Sequence, residues 1–107
     1  MNIQNLSIQV IPINTEAAYT HIDAAIAVIQ SSGLRYEVTP FSTVVEGSLE
    51  ALQNLITAIQ TALFDQGVEE VILNIQFHAK KSKDVFLHEK TDKFQWVGNF
   101  KKIVNGS

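Results

Sequence analysis

From Ile3 to Ile11 apolar and polar residues alternate, with Leu6, Ile8 and Val10 on one side and Asn5, Ser7 and Gln9 on the other. A period of two predicts a half-buried strand. Pro12 closes it, and Asn14 or Thr15 is placed to cap a helix. From Glu16 to Ser31 the period changes: Ala18, Ile22, Ala25, Ile26 and Ile29 recur at helical spacing and define an amphipathic helix. Gly33 stands where a helix end needs a left-handed residue. "RYEVTPFSTVVEG", Arg35 to Gly47, reads as two short strands around a proline turn. Ser48 then caps a second helix with Leu52, Leu55, Ile56, Ile59 and Leu63 on one face, and Gly67 ends it. In "GVEEVILNIQF" Val71, Leu73, Ile75 and Phe77 oppose Ile72, Asn74, Gln76 and His78, another strand.

The order is β-α-β-β-α-β. Right-handed crossovers place both helices on one face of a four-stranded antiparallel sheet, the ferredoxin-like α+β sandwich. Beyond Lys80, "KKSKD" reads as an exposed basic loop and "VFLHEKTDKFQWVGNFKKIV" as a C-terminal element, a helix or a helix with a short strand.

Two helices cover only one sheet face. The other carries Ser7, Gln9, Asn74, Gln76 and His78 among Ile11 and Ile72. A solvated face would favour lysine and glutamate, and a dry one valine and isoleucine. Amides and a hydroxyl among aliphatics point to a surface that is covered yet must make hydrogen bonds. A second subunit and a small ligand both meet that description. Strand pairing at an edge is another route to a dimer.

Composition narrows the classes. At 107 residues the chain is expected to be one domain, 1–107, burying roughly two-thirds of its unfolded surface. There is no cysteine, so disulfides, thiolate metal sites and a cysteine nucleophile are excluded. A net charge of −3 argues against a nucleic-acid partner. No apolar run approaches the ~20 residues of a membrane span, and "MNIQNLSIQV" lacks the basic and apolar pattern of a signal peptide, so none is expected. A cytoplasmic location is the expectation. His21, His78 and His88 lack metal-ligand spacing, and no nucleophile elbow or phosphate loop is present. A binding module, not an enzyme, is expected.

Glu46 stands apart. It follows Val44 and Val45 and precedes a helix start. It either complements the positive helix end, worth a few tenths to about 1 kcal/mol, or accepts hydrogen bonds from a cationic or amino-bearing ligand. Alternation puts Thr43 with Val45, and Glu46 with Val44 and Ser42.

"IQVIPI", "SGLRYEVTPFSTVVEG" and "GVEEVILNIQF" together resemble the thiamine-binding domain family over Ile3 to about Phe77. The specific part is Gly33-Leu34-x-Tyr36-Glu37 followed by Thr43-Val44-Val45-Glu46-Gly47. The resemblance implies a ferredoxin-like fold, dimers or tetramers, and binding of thiamine or its hydroxymethylpyrimidine part without transforming it; no other cofactor is implied. Pro12, Tyr36, Thr43 and Glu46 match the family's positions. Ser42 replaces the family's usual glycine, and "HAKKSK" replaces an acidic pair and arginine. On this basis Ser7, Gln9, Tyr36, Thr43, Glu46 and Asn74 are the expected ligand-binding residues. Glu46 would meet the charge or the amino group, Gln9 and Asn74 the pyrimidine edge. Tyr36, Phe41 or Trp96 would stack on a ring.

Overall fold

A computed structural model of the protein describes residues 2–87. Its elements are β1 (Ile3–Pro12), α1 (Ala18–Ser31), β2 (Arg35–Val38), β3 (Thr43–Ser48), α2 (Leu49–Asp65) and β4 (Val71–His78). The sheet order is β2-β3-β1-β4 with every neighbour antiparallel. This is the ferredoxin-like α+β fold. Of the expected C-terminal element, everything after Leu87, including His88 and Trp96, lies outside the described residues.

One face of the sheet meets both helices. Leu6 and Ile8 of β1, Val45 of β3, Ala25 and Ile29 of α1, and Leu52, Leu55, Ile59 and Leu63 of α2 form the buried cluster. Each fully buried aliphatic chain contributes about 1.5–3 kcal/mol relative to exposure, so this cluster holds helices and sheet together.

The helix ends follow local chemistry. The Ser48 hydroxyl accepts from Ala51 N at 3.2 Å and caps α2. Gly33 (φ 74°) and Gly67 (φ 92°) take the left-handed conformation that turns the chain out of each helix. The start of α1 differs from expectation. It begins at Ala18, Ala17 is its N-cap, and no side chain caps it. Asn14 is itself left-handed (φ 54°), and the Thr15 hydroxyl accepts from Ala17 N at 3.1 Å, two residues on. The two polar residues build a turn before the helix, which engages the capping oxygen too early in the chain.

Candidate functional site

The β2–β3 hairpin closes on Thr39. Its backbone N–H and its hydroxyl each donate to Ser42 O at 2.8 Å. The same hydroxyl oxygen accepts from Phe41 N and Ser42 N at 3.3 and 3.1 Å. A short turn tied by four hydrogen bonds holds its tip in one shape, and that tip presents Phe41 to solvent, 83% exposed.

Beneath the hairpin, between it and α1, lies a cavity of about 180 Å³. Ile22, Ile26 and Ile29 of α1 and Val38 of β2 give it apolar walls, with Thr43 and Phe41 also lining it. Thr43 is the chemically informative member. It is only 7% exposed and lines the cavity. A hydroxyl in a cavity wall offers a donor and an acceptor to whatever enters. The arrangement suits a flat, mostly apolar ring with a polar edge.

The opposite face is organised differently. Cross-strand pairs join several of its polar groups: Asn74 Nδ2 donates to Gln9 Oε1 at 3.2 Å, and the Ser7 hydroxyl to that of Ser42 at 3.1 Å. Part of the cover inferred for this face comes from the chain itself. Residues 84–87 form a strap across one end. Ile3 N donates to Asp84 Oδ1 at 2.7 Å and Ile3 O accepts from Val85 N at 2.8 Å, fixing the strap beside β1. The strap then passes over Asn5, whose Nδ2 donates to Val85 O at 2.9 Å. It reaches β3 at Glu46, where Leu87 N donates to Oε1 at 2.7 Å. Val85 and Leu87 are buried, at 1% and 5% exposure.

The six residues expected at the ligand therefore do not all converge on one pocket, although Gln9 and Thr43 both line the cavity. Ser7, Gln9, Glu46 and Asn74 lie on the face away from the helices. Thr43 and Tyr36 lie on the helix face, Thr43 opposite Ile8 and Tyr36 opposite the core residue Val45. Tyr36 is half-buried and packs against the core. Gln9 and Asn74 are engaged with each other, and Glu46 holds the strap. Sequence reasoning missed the cavity-facing side of α1 and the role of Asn5. Ile22 and Ile26 were visible only as part of an apolar stripe. Asn5 was visible as an amide on the uncovered side, but its partner Val85 stands 80 residues on. Among the described residues no group of three His, Cys, Asp or Glu is placed to hold a metal ion.

The fold and the site together define a ferredoxin-like α+β domain with a small cavity between the β2–β3 hairpin and α1. The chain belongs to the thiamine-binding protein family, whose pattern matches residues 6–95. It is 32% identical over 91 residues to the UPF0045 protein YqgV of Bacillus subtilis, covering 79% of this chain and 88% of that one. A UPF0045 protein of Clostridium perfringens, CPE1503, is 29% identical over 96 residues, covering 89% of this chain and all of the relative. Among solved structures, a Bacillus cereus domain of unknown function, DUF77, superposes with a TM-score of 0.81 at 38% identity, over 87% of this chain and 90% of that one. A candidate thiamine biosynthesis/salvage protein of Thermotoga maritima gives 0.78 at 29% identity, over 86% and 98%.

Proposed function

We propose that the protein binds thiamine or a related hydroxymethylpyrimidine, without transforming it, in the cavity beneath the β2–β3 hairpin. The observation that carries this reading is the cavity beneath the hairpin, whose mostly aliphatic walls also bring the hydroxyl-bearing Thr39, Ser42 and Thr43 to one small space. Family membership and the relationship to the Thermotoga maritima protein support the ligand class. Size supports which half of thiamine is enclosed. About 180 Å³ is well below the ~300–1,000 Å³ of pockets that enclose drug-sized molecules. The aminopyrimidine ring enters and meets Thr43, while the thiazolium cation stays at the mouth against Phe41. A cation over an exposed aromatic face contributes about 0.5–1 kcal/mol. A handful of such contacts corresponds to micromolar affinity, about −8 kcal/mol.

The protein works in this reading as a cytoplasmic homo-oligomer, a dimer or tetramer. The open sheet face supports assembly, as does β4, which among the described strands pairs only with β1. Calorimetric titration with thiamine and with hydroxymethylpyrimidine tests binding; no heat and no thermal shift at millimolar ligand would refute it. A compact monomer in light scattering at tens of micromolar would refute the assembly.

A further inference from the structure

On the sheet face away from the cavity, one polar atom stands out. Asn5 is 2% exposed, and its Oδ1 is buried without a hydrogen-bond partner. The amide cannot be turned round to relieve this. Its Nδ2 donates to the Val85 carbonyl at 2.9 Å, and reversal would set two carbonyl oxygens against each other. Buried acceptors are nearly always satisfied, so an orphan calls for a missing donor.

The surroundings say what kind of donor. Glu46 lies directly opposite Asn5 in the β1–β3 register and on the same face, which places the two side chains about 5 Å apart at Cβ. One Glu46 oxygen takes the Leu87 amide, and the carboxylate has no other partner among the described residues. A second carboxylate, Asp84, is fixed at the strap's start by the Ile3 amide. Neither carboxylate is paired with a lysine or arginine among the described residues. Arg35, opposite Glu46 on β2, is exposed and makes no ion pair with it.

From these contacts we infer that Asn5 Oδ1 and the free oxygen of Glu46 form a second binding site, under the strap, for a small primary ammonium group. Such a group brings three donors, no acceptor and one positive charge, which suits two acceptors beside carboxylates that no lysine or arginine pairs with among the described residues; His78, opposite Asn5 in the β1–β4 register, is the titratable neighbour on this face. A water would satisfy Asn5 but leave the charge. A guanidinium needs a wide planar fork. A calcium or magnesium ion needs six or more oxygens, more than the side chains of Asn5, Glu46 and Asp84 offer among the described residues. The site is independent of thiamine binding, since the cavity with Thr43 lies across the sheet.

The test uses the full chain at constant ionic strength in ammonium, methylammonium, sodium, magnesium or tetramethylammonium chloride. Thermal melts read stability, and two-dimensional amide NMR spectra read position. Ammonium and methylammonium should raise Tm saturably by several degrees and shift the Asn5 side-chain and Leu87 amide resonances, leaving Thr43 in place. Tetramethylammonium has no N–H and should do neither. Glu46→Gln should abolish the rise. If that variant does not fold, the wild-type selectivity and the site of the shifts decide alone. Equal melts in all salts, shifts elsewhere, a magnesium response as large as the ammonium one, or a response surviving in Glu46→Gln would each overturn the site. Bound water alone predicts the first of these. Thiamine shifting Thr43 and not Asn5 would leave the cavity reading intact whatever the salts do.

Discussion

Replacing Thr43 by valine should move stability and binding in opposite directions. The swap keeps the branched shape and exchanges one hydroxyl for a methyl. In the free protein Thr43 is only 7% exposed and lines the cavity, so its hydroxyl is partly stripped of water there, and complete burial of such a group without a partner costs about 1–3 kcal/mol by mutational measures. Thr43 opens onto a cavity that admits some solvent, so only part of the cost is recovered. A gain of up to about 1 kcal/mol is expected, or roughly 4 °C in Tm for a domain near 100 residues. Binding should weaken. A neutral hydrogen bond contributes about 0.5–1.5 kcal/mol, so affinity for hydroxymethylpyrimidine should fall about three- to tenfold. Differential scanning fluorimetry without ligand and calorimetric titration with it measure the two effects separately. A Tm lowered by several degrees would mean that the hydroxyl is already paired within the fold. Unchanged affinity at unchanged or higher stability would remove Thr43, and with it the cavity, from the site.

Phe41→Ala should leave the melting temperature within a degree or two, because the ring is exposed. It should weaken thiamine binding about two- to fivefold, and hydroxymethylpyrimidine binding less, because only thiamine carries the cation that the ring faces; equal losses in titration would contradict the orientation. Glu46→Ala strips the Leu87 amide of its acceptor and should lower stability by about 1–3 kcal/mol, read as a lower denaturant midpoint and faster hydrogen exchange at Val85 and Leu87. Affinity for hydroxymethylpyrimidine should not change, and a large loss in calorimetry would bring Glu46 back to the ligand. Ser48→Ala removes the α2 cap and should cost about 1 kcal/mol in a urea melt, with no effect on titrations.

What could be read from the chain was local, and what could not was distant. The Ser48 cap, the glycines that end both helices, and the period-two and helical stripes each lie within a few residues, and together they determine the order and the sheet. The Asn14–Thr15 cap failed for an equally local reason, because a threonine can serve a turn as readily as a helix. The strap was beyond reach: Asn5 meets Val85 across 80 residues and Glu46 meets Leu87 across 41, and no propensity encodes such pairings. The uncovered face announced only that something must cover it.

In the candidate site the failure was of a different kind. Alternation already separated Thr43 from Glu46, because residues an odd number apart in a strand point to opposite faces. Pooling them as one pocket set that rule aside. In β3 the odd positions Thr43 and Val45 look toward the helices and the cavity, while Val44 and Glu46 look toward the strap. One six-residue strand thus carries two chemistries that share a backbone but no contact. Substitutions at Thr43 and Glu46 should then be additive in both stability and binding to within about 0.5 kcal/mol, as expected for side chains without shared partners. A double-mutant cycle with a larger coupling would show that the strap and the cavity communicate through the strand between them.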